Sequence, residues 1–163
     1  MRELKIKEHT IKVSNEDFEF LATLTWCKNI VKDYFYCRAG DLRGRRLHRV
    51  VAERMGLDMT MQIDHINRDK FDNTRSNLRA ASNGQNRANS KLNSNSTTGL
   101  KGVYVKKRKR LNGLCYSVRY GSQIKVERVN VHLGYFTSKE AAHEAYAKAA
   151  KHYYGEFANP NGK

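Results

Sequence analysis

The stretch "IDHINRDKFDNTRSNLRAASNGQN" (Ile63–Asn86) sets an acid and a histidine side by side after an apolar run, then crowds asparagines behind them. A polar loop alone accounts for Asn and Asp, because both bond their own backbone readily. The pair Asp64-His65 asks for more. Cleaving a phosphodiester in water needs an activated nucleophile and neutralisation of the charge that builds on the phosphate and the leaving oxygen. A histidine of near-neutral pKa takes a proton from water. One carboxylate and one amide are hard oxygen donors, which suit Mg2+ or Mn2+ better than Zn2+. Asp64 and Asn86 are such a pair. With two protein ligands, an ion keeps waters and completes its shell with substrate oxygens.

The elements around these residues explain how they would meet. "MQIDH" (Met61–His65) reads as a short strand ending in the acid–histidine pair, and "NRDKFDN" as a polar loop. "SNLRAASNGQNRANS" then runs from a strand-like "LRAAS" into a helix that carries Asn86. Strand, loop, strand and helix make a compact ββα unit that brings Asp64 and His65 near Asn86. Upstream, "LKIKEHTIKVS" and "DYFYCRAG" read as strands and "NEDFEFLATLTW" as a capped short helix. "RRLHRVVAERM" reads as a basic strand-to-helix segment. Its Arg45, Arg46 and Arg49 are candidates for phosphate contact, and His48 either touches DNA, supports the site or is a packed structural histidine.

The composition changes at "NRANSKLNSNSTTG" (Asn86–Gly99), where Asn, Ser and Thr dominate. This predicts a domain over residues 1–90, a linker over 91–98 and a second domain over 99–160. In the second, "KGVYVKKRKR", "LCYSVRY" and "ERVNVHLGYF" alternate as strands should, with turns expected at Asn112-Gly113 and Gly121-Ser122. A helix follows in "TSKEAAHEAYAKAAKHYYGE". Thr137 and Glu140 have capping-box spacing, and Gly155 stands where a helix end favours positive φ. Ala141, Ala142, Ala145, Tyr146, Ala149, Ala150 and Tyr153 form one stripe of mostly small side chains, suited to lie on a three-stranded sheet. With Val103, Val105, Tyr116, Val118, Tyr120, Val129, Val131 and Leu133 turned to that helix, the other face presents Tyr104, Lys106, Ser117, Arg119, Arg128, Asn130 and His132. Lys107–Arg110, including Arg108, continue it in the hairpin. These groups contact phosphates and base edges.

Charge agrees with a polyanionic partner. The 163 residues carry 31 Lys+Arg and 16 Asp+Glu, a formal net charge of +15. The excess is +5 over residues 1–90 and +10 over residues 91–163. Such a surplus favours nucleic acid through counterion release. Interleaving with aromatics and strand formers favours nucleic acid over a membrane surface. No apolar run approaches the roughly 20 residues of a membrane span, and "MRELKIKEHTIKVS" lacks a signal-peptide core. An intracellular, unsecreted protein is expected. Cys27, Cys37 and Cys115 are widely spaced without a C-x-x-C pair, so neither structural zinc nor a disulfide framework is expected.

Two resemblances sharpen this. "DH" (Asp64, His65), "D-N-x-x-S-N-L-R" (Asp72–Arg79) and "N-x-x-N" (Asn86, Asn89) resemble the HNH nuclease motif in its phage-type homing-endonuclease variant. The resemblance implies His65 as general base, Asp64 and Asn86 as ligands of one divalent ion, and Asn77 as the residue that orients the loop and the histidine. "GVYVKKR…YSVRY…VNVHLGYFTSKEAAHEAYAKAAKHYYGEFA" resembles the AP2 DNA-binding domain. It implies a sheet that enters the major groove of duplex DNA through Tyr104, Lys106, Arg119, Arg128, Asn130 and His132. The fold expected is therefore α+β: an N-terminal HNH (ββα-metal) module joined by a polar linker to a three-stranded antiparallel sheet plus helix. The activity expected is a metal-dependent DNA endonuclease, nicking or double-strand cleaving, in the cytoplasm of a bacterial host if phage-encoded; the sequence leaves the oligomeric state open, with a monomer favoured. The alternative is a non-catalytic sequence-specific DNA-binding regulator that uses the HNH fold as scaffold. An RNA-binding reading rests on charge alone.

Overall fold

Leu4, Ile6, Ile11 and Val13 alternate with polar residues. In the computed structural model, which describes residues 1–29, 34–38, 40, 42–109 and 116–162, that alternation folds as an antiparallel hairpin of β1 (Arg2–Ile6) and β2 (His9–Val13). All four apolar side chains are buried on one face. Helix α1 (Asn15–Ala22) follows and buries Leu21 and Asp17. The strands β3 (Trp26–Asn29) and β4 (Tyr34–Cys37) form a second hairpin. Helix α2 (Leu47–Arg54) turns Leu47, Val50 and Val51 into the same core, the spacing of one helix face, and Gly56 lies just beyond its end at a φ of 74°.

Two short pairings then build the region of interest. β5 (Gln62–His65) pairs antiparallel with β7 (Leu78–Ala81), and α2 packs on both. Between them β6 (Asp72–Asn73) adds to the first hairpin, parallel to β2, with Val13 opposite Asn73. A 3-10 turn at Arg75–Asn77 leads into β7. Helix α3 (Asn83–Asn89) comes next.

The chain divides into two compact units, Met1–Asn83 and Gly84–Lys163, so the division falls inside α3 and not in the segment expected as a linker. Residues 91–98 are tied into the second unit instead. Leu92 N donates to Gly162 O at 2.9 Å, and the buried Thr98 hydroxyl lies 3.2 Å from the carbonyls of Leu100 and Val103.

The second unit holds β8 (Val103–Lys109), β9 (Tyr116–Val126) and β10 (Val129–Phe136) in the antiparallel order β10-β9-β8, with α4 (Lys139–Tyr154) laid across it. The turn expected at Gly121-Ser122 is not there. β9 runs on to Val126, and the chain reverses at Glu127-Arg128, both with positive φ (46° and 73°). Gly121 stays in the strand because the Tyr104 ring fills its place: a Cβ there would lie 2.2 Å from that ring. Ser138, not Thr137, caps α4, its side chain accepting from Ala141 N at 3.1 Å. Along the helix Ala142, Tyr146 and Ala150 are buried, whereas Tyr153 is exposed and Tyr154 takes its place against the core. The core centres on Ile124, with Val126, Val131 and Leu133 around it. Val105, Val118 and Val129, expected under the helix, are exposed. In register Val105 faces Tyr120 and Val118 faces Lys107, away from Ile124, and Val129 opens β10 beside the Glu127-Arg128 turn. The Asn112-Gly113 turn and the Tyr116 side chain lie outside the described residues. Among those described, no helix is long and apolar enough to cross a membrane.

Candidate active site

Register on β5 and β7 sets Asp64 directly opposite Arg79 and His65 opposite Leu78. Opposite charges in facing positions attract across a sheet. Arg79 Nε and Nη2 both lie 3.0 Å from Asp64 Oδ2, and Asp64 is buried. An ion pair at this carboxylate was not anticipated, although "N-L-R" supplied its arginine.

His65 is held by a residue whose role the sequence reading missed. Its Nε2 lies 3.1 Å from Asn73 Oδ1. The Asn73 amide is oriented by a 3.1 Å bond from its Nδ2 to Lys70 O, a group that can only accept. Oδ1 therefore faces the ring, so Nε2 carries the proton and Nδ1 is the basic nitrogen. Asn73 can do this because β6 docks on β2, where Lys12 N also donates to Phe71 O at 2.8 Å. The signal was present as the Asn of "D-N-x-x-S-N-L-R", but its partner depends on a strand pairing far away in sequence.

Asn77 closes the loop between the two strands. Its Nδ2 donates to Asn67 Oδ1 (2.9 Å) and to Asp72 O (2.7 Å), its Oδ1 accepts from Asn67 N (3.0 Å), and its carbonyl accepts from Ile66 N (2.9 Å). Asn67 and Asp69 side chains cap backbone amides two residues on, at 2.8 and 2.9 Å. The loop that follows the histidine is thus fixed by its own asparagines and aspartates.

Electrostatics keep the His65 imidazole neutral. Burial pushes the His65 imidazole below the ordinary histidine range, while the Asn73 bond and the carboxylates of Asp64, Asp69 and Asp72 act the other way. His48 reaches from α2 to the same place, its ring 5.3 Å from that of His65 and edge-on to it. Burial, with His65, Arg46 and Arg49 adding, pushes His48 down to about 3, so it is neutral at pH 7. Asn73→Ala should therefore lower the single-turnover cleavage rate by about 10²-fold through a misplaced base. Duplex-DNA affinity, read by gel shift, should be unchanged; an unchanged rate would count against the role of Asn73.

The remaining expected positions fall as follows. Arg49 Nη2 donates to Met59 O at 2.6 Å and Nη1 to Met61 O at 3.4 Å, so this guanidinium braces the approach to β5. Arg45 pairs with Glu53, and Arg46 lies 4.4 Å over the Tyr34 ring. Asn86 sits half-buried on α3. On the sheet, Lys106 and Arg119 stand opposite each other across β8 and β9, and both are exposed, as are Asn130 and His132. Tyr104 and Tyr135 flank Gly121, their rings 6.5 Å apart, with His132 4.5 Å from Tyr135. Tyr104 thus packs on the sheet itself. Arg128 is in the Glu127-Arg128 turn and not on the strand face, and the Arg108 side chain lies outside the described residues.

Residues 45–88 match the HNH endonuclease family, a span that opens before α2 and closes within α3. It contains Asp64, His65, Asn73, Asn77 and Arg79. The match supports a nuclease acting on DNA. No curated protein and no solved structure matches the chain.

Proposed function

We propose that the protein is a metal-dependent endonuclease that hydrolyses phosphodiester bonds in duplex DNA. The observation that carries this reading is His65, kept neutral by burial and fixed through Asn73, inside the segment that matches the HNH endonucleases. His65 Nδ1 takes the proton of a water that attacks phosphorus; the bond from phosphorus to the 3′ oxygen breaks, and that oxygen is protonated from solvent. Asn73 and Asn77 orient the base and its loop. Among the described residues no three His, Cys, Asp or Glu side chains are grouped so as to hold a metal ion. The ligand set is smaller and harder, the Asp64 carboxylate and the Asn86 amide oxygen, and these donors fit Mg2+ or Mn2+. A divalent ion held there supplies positive charge to the phosphate and the departing oxygen.

Site selection falls to residues 99–160, as an AP2-like module. The exposed cations of its sheet and the +10 excess over residues 91–163 support this role. Arg119→Ala should weaken duplex binding and lower the salt slope of the affinity by about 1. An unaltered slope would remove Arg119 from the interface.

The test of the whole reading is supercoiled plasmid bearing candidate target DNA, incubated with Mg2+, Mn2+ or EDTA. Nicking or linearisation that EDTA abolishes supports the enzyme. One observation favours the regulator reading instead: Arg79 holds an oxygen of the proposed ligand Asp64. Tight duplex binding without cutting in any metal, on DNA that contains the selected site, would establish that alternative.

A further inference from the structure

The free face of the β8–β10 sheet is not uniformly basic. On β9, Ser122 and Ile124 are buried, 0% and 3% exposed, whereas Gln123 between them and Lys125 beyond are exposed on the other face. Strand register fills in that face. Lys106 stands opposite Arg119, Tyr104 and Tyr135 stand on either side of Gly121, and His132 stands opposite Gln123. Down β9 the face therefore passes from a cationic pair, across an aromatic ridge, to an uncharged amide, with Lys125 next.

The ridge and the amide are both held by backbone. Gly121 leaves room for the Tyr104 ring to lie across β9 towards Tyr135, and the His132 ring closes on Tyr135 at 4.5 Å. Gln123 N donates to Gly102 O at 2.9 Å. Gly102, at a φ of 72°, passes so close to the Tyr146 ring of α4 that a Cβ would lie 1.9 Å from it. A side chain on so fixed a strand is aimed more precisely than one on a loop.

The groups along this face differ in what they can recognise. Cations bind the phosphates of any sequence, so they position a duplex without reading it. The Gln123 amide has no charge, and it offers one acceptor oxygen beside one NH2 donor. In the major groove only adenine presents the matching pair, N7 as acceptor next to the N6 amino donor. Its thymine partner adds a methyl that takes an apolar contact, whereas guanine presents two acceptors and favours a double donor. An amide next to the His132 and Tyr135 rings has both halves of the match to an A·T pair.

We propose that Gln123 is a specificity-determining residue that reads an A·T pair in the major groove, its amide on adenine and the Tyr135 ring against the thymine methyl. The proposal rests on the reading of residues 99–160 as the module that selects the site. It divides that module's sheet into cations that anchor the duplex and an amide that reads it.

The test is one of binding, made with full-length protein in EDTA so that cutting does not enter. Wild type and Gln123→Ala each select bound duplexes from a fully randomised library. Affinities for the selected site and its single-pair variants are then measured over a range of salt. Wild type should select A·T at a position where G·C weakens binding about tenfold. Gln123→Ala should lose that preference alone and keep the wild-type salt slope, and Gln123→Arg should shift the preference to G·C. Replacing the thymine of that pair by uracil should weaken wild type about fourfold, the effect of one methyl, and leave Tyr135→Ala unaffected. Equal weakening of Gln123→Ala on every duplex, or an unchanged preference, overturns the proposal. Arg119→Ala separates two failures. If it lowers the salt slope while Gln123→Ala selects the wild-type site, the module binds DNA and the assignment of Gln123 is wrong. If wild type selects no sequence at all, the site-selection reading fails and takes Gln123 with it.

Discussion

Replacing His65 by alanine should slow metal-dependent nicking by about 10²–10⁴-fold, the range a positioned general base contributes, while duplex DNA is still bound. The argument is one of geometry before chemistry. His65 Nε2 is committed to Asn73, which leaves Nδ1 as the nitrogen that accepts a proton, and burial keeps the ring in its neutral, accepting form. Binding should persist because the exposed cations of the β8–β10 sheet belong to a different unit of the chain. The measurement is single-turnover nicking beside a gel shift on the same DNA. Cleavage at the wild-type rate would remove His65 from the mechanism, whereas loss of binding together with cleavage would mean that the substitution had damaged the fold.

The second large effect is on stability. Asp17 is fully buried on α1 and carries a charge. Arg54 Nε, from α2, lies 2.8 Å from its Oδ1, and Arg75 Nε and Nη2, from the 3-10 turn, lie 2.7 and 2.9 Å from its two oxygens. Arg75 N also donates to Ser14 Oγ at 2.9 Å and Arg75 Nη1 lies 3.0 Å from Glu16 Oε2, so the start of α1 and the turn that carries Asn77 are joined through three residues. Asp17→Ala would leave two guanidinium groups facing an emptied pocket, and removing one partner of a buried ion pair costs about 3–5 kcal/mol. The denaturation midpoint should fall accordingly, and the Asn67–Asn77 loop should lose order with it. A midpoint within experimental error of wild type would show that the pairing contributes nothing net.

The pH dependence follows from the same group. Burial by itself raises the Asp17 carboxyl, but the bonds from Arg75 and Arg54 outweigh it, and the folded-state pKa lies below the ordinary carboxylate range. The unfolded chain binds this proton near pH 4. Asp17 therefore contributes its full stability above that pH and loses it as the pH falls towards the lower folded value. Wild type should lose stability on acidification through this window, and Asp17→Asn should be much less sensitive there. Equal acid sensitivity in the two would assign the loss to other carboxylates.

Much of the architecture is written in local pattern. Alternation of apolar and polar residues gives β1, β2 and β8, the small-residue stripe gives α4, and adjacency alone puts Asp64 beside His65 at the end of β5. Capping was read one residue early, at Thr137, because Thr and Ser offer the same oxygen and only the backbone path decides which one reaches Ala141 N. Gly121-Ser122 reads as a turn for a related reason. Glycine marks a turn locally, yet here it makes room for an aromatic ring from the neighbouring strand.

What the tertiary structure alone decided is the set of partners. Asn73 reaches His65 because β6 runs beside β2, Asp17 meets Arg75 across most of the first unit, and Lys101 turns a polar joint into an anchored segment. Sequence specified which residues could bear charge, accept a proton or fill a helix face, because those properties belong to single side chains and to spacings of a few residues. It did not specify which buried charge is neutralised by which cation, or which amide turns towards the histidine. Such pairings depend on the desolvation of groups that only long-range strand and helix packing brings together.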